Sequence, residues 1–438
     1  MLKLFKVQKK LLIKFKELCK KKKKLNLYNY CSLGAESLGA LKFKFQIDKR
    51  KYLICFLKER IKEVYGLGLI KKIRIIKDNN PEKFENIILN WAFKNDFQKH
   101  FYDKYFNINS KNYNKILWLL VYMSNEIPKN FPKNTFVVQI KKNKKFKFLS
   151  LILNLIFLIR FSDSPIFLRI FDFSQQVFLS TFLTKAFTQN KDYKKIKRFF
   201  LPYEAQLFQK KLIFNLKKKF KNLRIIGYDH TAPQPMPINI FYDKFSPDYL
   251  LVGSKNKLKF NHNYLGWPKN KMKVMKSLRF KLDKQEFRNK VLLPYIIKNK
   301  KIYLQNVIRL MQQLNLKKFK NSNVKIHPAC KNKKNHIKLV NHIRLLKNKS
   351  FNKKKETSKN FVIFLGQTTA IPLAVENGLK TFNICIEPKY DVYNPKIWTG
   401  LTCKSLNDFT YQYKIKNKSA LIWIDRKRNS FKNIINNF

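Results

Sequence analysis

Short runs of β-branched and aromatic residues, each followed by a longer amphipathic stretch, recur along most of this chain. The strand-like runs are Leu25–Cys31, Lys51–Leu57, Ile73–Lys77, Ile116–Met123, Thr135–Ile140, Leu223–Tyr228 and Tyr249–Val252. Helical patterning falls near Glu82–Phe101, Phe148–Ile159, Phe178–Phe200 and Tyr203–Phe220, the last two separated by the Leu201–Pro202 break. Beyond the turn Gly266-Trp267-Pro268 the pattern returns in smaller form: helix Ile302–Leu314, strand Asn323–His327, then a lysine-rich helix and exposed loop over Lys331–Lys359. Strand Phe361–Leu365, helix Ala370–Asn377 and strand Lys380–Cys385 then make one compact βαβ unit. Parallel sheets flanked by helices produce such alternation; sandwiches and bundles do not. The expected organisation is a basic amphipathic helix over residues 1–24, an N-terminal α/β domain over 25–268 and a C-terminal α/β domain over 269–438. Ligands in sheets of this kind bind beyond the carboxyl ends of the strands, here in the cleft between the two domains.

A chain of 438 residues, 45% hydrophobic and 15% aromatic with only 10 Gly and 15 Pro, is a folded protein of two or three domains. Its 94 Lys+Arg against 26 Asp+Glu give a net charge of +68, a potential that gathers polyanions. Only 13 of the basic residues are Arg, however, and lysine is enriched together with Asn, Ile and Phe, the residues of A/T-rich codons. The excess therefore reads first as solvated surface lysine, next as a membrane-facing basic surface, and last as a nucleic-acid site. Zinc-finger spacing, an aromatic RNA-binding signature and a confined basic stripe are all missing, so no specific nucleic acid is expected. Cys19, Cys31, Cys55, Cys330, Cys385 and Cys403 form no C-x-x-C pair, which fits reduced thiols in a cytoplasmic protein. The N-terminal stretch lacks the apolar core and small-residue cleavage site of a secretory signal, so none is expected. Its apolar positions Leu2, Leu4, Phe5, Leu11, Leu12, Phe15 and Leu18 suit a basic helix, either solvated or lying on an anionic membrane surface. The most apolar run, Phe148–Ile159, falls well short of the roughly 20 residues a membrane span needs.

Two stretches carry candidate chemistry. In Asn323–Cys330 an apolar strand ends at His327-Pro328, which puts an imidazole at the sheet's carboxyl edge, able to donate to a phosphate oxygen. In the βαβ unit, Gly366 ends the strand, Thr369 is a suitable N-cap and Gly378 a left-handed stop. The N–H groups of Thr369, Ala370 and Ile371, with the hydroxyls of Thr368 and Thr369, would form an anion pocket at the positive end of the helix. In the other half, His230 and Asp229 follow the strand Leu223–Tyr228, and Glu204 begins a helix. His230 or a neighbouring carboxylate could take a proton from an attacking hydroxyl. No phosphate-binding P-loop, dinucleotide fingerprint, nucleophile elbow, zinc-protease motif or D-x-D triplet occurs.

The succession Leu201–Ile213 (LPYEAQLFQKKLI), Arg224–Pro235 (RIIGYDHTAPQP), Ser246–Ser254 (SPDYLLVGS), HPAC and the Thr-Thr helix start resembles bacterial GT-B glycosyltransferases of surface-carbohydrate biosynthesis, such as sialyltransferase-like and capsule-polymer enzymes. The likeness covers about residues 195–385 and leaves 1–195 unmatched. It implies a GT-B-like α/β fold of two Rossmann-like domains facing a cleft, and a nucleotide-sugar donor held mainly by the C-terminal domain. By that likeness His327 would contact the donor phosphate, Thr368 and Thr369 the phosphate or its ribose, and Glu376 a ribose, with Pro328, Gly366 and Ala370 in the same donor pocket; His230, Glu204 and Asp229 would serve the acceptor. No metal or other cofactor is implied. The acceptor would be a cell-surface polysaccharide or lipid-linked saccharide, and the enzyme cytoplasmic, peripheral at the inner face of the plasma membrane. The competing readings are a CDP-alcohol or polyol-phosphate transferase and a non-enzymatic basic nucleic-acid-binding protein.

Overall fold

The computed structural model describes residues 1–21, 49–78, 84–97, 100–113, 115–128, 130–161, 173–188, 196–297, 299–314, 319, 322–327, 330–347 and 360–435. Two sheets organise the chain. The first has the order β1-β6-β5-β2-β7-β8-β9-β10. Its strands are β1 (Ile70–Lys77), β2 (Asn86–Ala92), β5 (Ile116–Tyr122), β6 (Thr135–Lys142), β7 (Arg198–Pro202), β8 (Arg224–Tyr228), β9 (Tyr249–Val252) and β10 (Met272–Val274), with β3 (Tyr102–Asp103) and β4 (Ile108–Asn109) forming a separate hairpin. All its pairings are parallel except β1 on β6. The second sheet has the order β12-β11-β13-β14-β16-β15. Here β11 (Lys290–Leu292), β12 (Asn323–Lys325), β13 (Phe361–Leu365) and β14 (Lys380–Ile384) are parallel, and β15 (Leu401–Ser405) and β16 (Thr410–Ile415) close the edge antiparallel.

The helices are α1 (Leu2–Lys21), α2 (Lys49–Leu69), α3 (Phe148–Phe161), α4 (Gln175–Thr188), α5 (Leu207–Lys219), α6 (Lys255–Leu265), α7 (Lys300–Leu314), α8 (Lys334–Lys347), α9 (Ala370–Glu376), α10 (Pro388–Asp391) and α11 (Lys432–Ile435). Loops at the carboxyl edges of the two sheets touch: Tyr393 Oη donates to the carbonyl of Pro233 at 2.6 Å, and Trp398 Nε1 to that of Pro235 at 2.9 Å. This is the expected α/β architecture of two Rossmann-like units, their carboxyl edges in contact.

Several local expectations change. Lys51–Leu57 lies inside α2 and is not a strand; Glu82–Phe101 contains β2; the end of Phe178–Phe200 is the start of β7. β2 runs between β5 and β7 and is buried along nearly its whole length. A strand covered on both faces shows no alternation, so its period is easily misread as helical. The strand expected over Leu25–Cys31 lies outside the described residues. The domain boundary also moves. β10 pairs with β9, so the first unit runs past residue 268, and Phe431 and Ile434 of α11 return to pack in its core with Trp118 and Tyr228.

The two crossings lie side by side: Ser277 N–H donates to Trp423 O (2.8 Å), Leu282 N–H to Asp425 O (2.9 Å) and Asn429 N–H to Ser277 O (3.2 Å). Helix α1 also bridges the units. Its apolar side is buried at Leu12 and Phe15, Phe15 meeting Phe241 edge-on, while Gln8 donates to Val392 O and Lys16 to Asn263 O. That face is spent on the protein's own interior, which removes the reading of α1 as a membrane-lying helix. Among the described residues no helix is long and apolar enough to cross a membrane.

Candidate functional site

Three adjacent parallel strands deliver the main cluster. Glu204 follows β7, Asp229 and His230 follow β8, and Ser254 follows β9 and caps α6, its Oγ accepting from Lys257 N–H at 3.0 Å. That cap sets Lys257 in the first turn of α6, with its side chain directed into the cluster. The turn holding Glu204 is a tight one: Ala205 adopts φ +56°, and Gln209 clamps it, Oε1 accepting from the Glu204 and Gln206 amides while Nε2 donates to Pro202 O. Helix α5 starts only at Leu207, so Glu204 precedes the helix instead of beginning it.

His230 is 4% exposed, and its Nε2 lies 3.1 Å from Glu204 Oε1. The other carboxylate oxygen accepts from Gln206 Nε2 at 2.8 Å, and His230 Nδ1 is buried without a hydrogen-bond partner among the described residues. With the Nε2 proton directed at Glu204, Nδ1 carries the free lone pair. Asp229 takes a different part. Its Oδ2 is 2.6 Å from Lys257 Nζ and its Oδ1 accepts from Thr231 Oγ1, both charged side chains being essentially inaccessible. Lys257 also donates to Thr231 O, and burial outweighs Asp229 in pulling its pKa below the usual lysine range. The expected catalytic carboxylate at 229 is therefore the counter-ion of a buried lysine. In a chain so rich in lysine, nothing in the sequence distinguishes Lys257.

Tyr105 covers His230, ring centroids 4.6 Å apart and edge-on, and the Arg279 guanidinium stacks over Tyr105 at 5.3 Å. The hairpin carrying Tyr105 is held by Asp103, whose Oδ1 accepts from the amides of Tyr105 and Phe106. Full burial pushes the Asp103 carboxyl up to about 6 despite those bonds. Because this is above the unfolded value, the stabilisation is complete below about pH 4 and is lost as pH rises through about 6. The expected loss is on the order of 2–3 kcal/mol. Urea unfolding of wild type and Asp103→Asn from pH 4 to 8 checks this: the difference between them should change across that window, and parallel profiles would exclude it.

The C-terminal sheet presents a second group at its carboxyl edge. His327, exposed, follows β12 and packs edge-on against Tyr295, which follows β11; Lys333 Nζ stands 4.4 Å over the same tyrosine ring. Burial, His336 and Lys333 all lower the pKa of His327, which favours the neutral imidazole. Gly366, φ +83°, turns the chain after β13 where a Cβ would come within 2.9 Å of Tyr303 Oη and 3.1 Å of Pro294. Only glycine fits that turn. β12 and β13 flank β11, so the His327 and Gly366 backbones stand about two strand spacings apart, roughly 10 Å. Pro328 lies outside the described residues.

Other expected donor contacts change. Thr369 has helical dihedrals and caps nothing; Thr368 does the capping, its Oγ1 accepting from Ala370 N–H (3.3 Å) and its carbonyl from Ile371 N–H (3.2 Å). Two of the three amides expected to hold an anion are thus engaged within a seven-residue helix. Glu376 is not solvated or free for a ribose: Oε1 accepts from Leu421 and Ile422 N–H, and Oε2 from Ser419 N–H. The adjacent Asn377 Oδ1 accepts from Asp283 N–H at 2.8 Å. The end of α9 thereby ties both interdomain crossings to the second unit.

A cavity of about 440 Å³ opens between the units beside these crossings, lined by Lys255, Asn256 and Lys259 of α6 and by Thr399, Lys418 and Trp423. No protein-family model matches the chain, and no curated protein matches its sequence. Among solved structures, UDP-GlcNAc 2-epimerase from Methanocaldococcus jannaschii is similar over 69% of this chain and 85% of its own, at 11% identity and a TM-score of 0.34.

Proposed function

We propose that this protein is a glycosyltransferase that moves a sugar from a nucleotide-sugar donor to a hydroxyl of a saccharide or lipid-linked saccharide. One observation carries the reading: a buried His–Glu dyad at a sheet's carboxyl edge, with the ring nitrogen of His230 that has no partner among the described residues as its base. In the transfer, His230 Nδ1 takes the proton of the acceptor hydroxyl as that oxygen bonds to the anomeric carbon. The bond from that carbon to the donor phosphate breaks, and its electron pair leaves with the nucleotide. Glu204 stabilises the imidazolium so formed. The buried Nδ1 implies that Tyr105 moves aside to admit the acceptor, and Arg279, on an interdomain crossing, ties that movement to domain opening. On the donor side, Lys333, Tyr295, His327 and the Gly366 turn offer a cation, an aromatic face, an imidazole and close backbone approach.

Titration with UDP, GDP and CMP tests the donor side. At least one should bind wild type, and His327→Ala, an exposed substitution, should weaken it roughly tenfold, the scale of a lost hydrogen bond to a charged group. Equal binding by both proteins would remove His327 from the site.

A further inference from the structure

The 14 residues of α3 are FLSLILNLIFLIRF. An ordinary helix of this composition buries its apolar side, yet here Phe148 (67%), Leu149 (68%), Leu153 (57%) and Ile156 (55%) are exposed, with Ile152 and Ile159 beside them. At 100° per residue these six fall within one arc of about 140°. The inward side carries the polar exception: Asn154 is buried and donates to the carbonyls of Leu67 (2.8 Å) and Ile70 (3.0 Å). Rolling the helix to hide its aliphatic face would break both bonds and leave those groups unpaired, so the face is locked outward. The neighbouring helix α2 extends it with Leu57, Ile61 and Tyr65 at successive i+4 positions, all at least half exposed, and Tyr65 stacks on Phe146 at the entry to α3.

Along the approach to α3 and the helix itself the charges are of one sign. The approach to α3, Lys141–Lys147, holds five lysines in seven residues, Arg160 lies at the other end, and no carboxylate occurs anywhere in 141–161. Lys58 and Lys62 are exposed on α2 beside its stripe. A second copy of the chain would bring the same positive charge, part of +68, against these lysines, and a nucleic acid gains nothing from an aliphatic face. An anionic lipid surface answers both halves, with hydrocarbon for the aliphatic arc and headgroup phosphates for the lysines.

We propose that the outward face of α3, extended by the stripe on α2, seats the protein in the headgroup boundary of an anionic lipid bilayer. The proposal stands apart from the transferase reading, because no residue of the His230 or His327 groups takes part. The test is co-sedimentation of the full chain with phosphatidylcholine vesicles, with and without phosphatidylglycerol. It compares wild type, Ile152→Asp/Ile156→Asp, and Lys144→Glu/Lys145→Glu. All four side chains are already in solvent, and circular dichroism with the unfolding midpoint confirms that the variants fold. Wild type should sediment with the anionic vesicles and keep part of its binding at high salt. The aspartate pair should weaken binding by roughly tenfold or more at any salt, and the glutamate pair should weaken only the phosphatidylglycerol-dependent part. Equal binding by the aspartate pair and wild type, abolished for both by salt, would mean lysine attraction alone and overturn the proposal. So would a wild-type dimer in analytical ultracentrifugation that the aspartate pair dissolves while neither protein binds vesicles.

Discussion

Replacing His230 with alanine is expected to lower the rate of sugar transfer by roughly 10²–10⁴-fold, the usual loss when a positioned general base is removed. Affinity for the donor nucleotide should be unchanged, because the proposed donor contacts come from the other sheet. The expectation follows from geometry. The ring is 4% exposed, its Nε2 is held 3.1 Å from Glu204, and its Nδ1 has no hydrogen-bond partner among the described residues. Glu204→Gln separates positioning from charge: glutamine can still accept the Nε2 proton but cannot stabilise an imidazolium, so its rate should fall between wild type and His230→Ala. Steady-state kinetics with saturating donor checks both variants. A fall in donor affinity with kcat intact would assign the histidine to binding and leave the reaction without its base.

Lys257→Met should be the most destabilising single change in this region, on the order of 3–5 kcal/mol, because it leaves the Asp229 carboxylate buried and unpaired. The loss is a desolvation cost, not the value of the ion pair, so the double replacement Lys257→Met/Asp229→Leu should recover most of it. Urea denaturation of the three proteins at neutral pH measures this, read from the midpoints at constant slope. A single variant within about 1 kcal/mol of wild type would show that water reaches the pair in solution. The same pair explains the rigidity of the dyad: Asp229 and His230 are consecutive, and fixing one side chain against α6 fixes the backbone that presents the other.

Much of this arrangement was legible in the sequence. Strands β5, β6, β8, β9, β13 and β14 have clear apolar runs bounded by turns, and two motifs at strand ends located His230 and His327. What could not be read has physical causes. β2 is covered on both faces and lost its alternation, and β7 was swallowed by the helical pattern before it. Tyr105 lies on a hairpin 125 residues before His230, and only the order of the parallel strands brings the two together. Glu376 was placed correctly near the end of α9, but its partners at 419–422 arrive by a crossing no local pattern announces. In α3, nearly every residue is apolar, so periodicity gave no inside or outside; a single asparagine, turned inward onto two carbonyls, decides it.

The most direct test of the central claim is a structure with a nucleoside diphosphate bound. The account places the diphosphate between His327 and the Gly366 turn, with its terminal phosphate toward the His230–Glu204 dyad across the cleft. A nucleotide seated instead in the cavity of Lys255, Lys259 and Trp423, with the carboxyl edge of the second sheet empty, would contradict it.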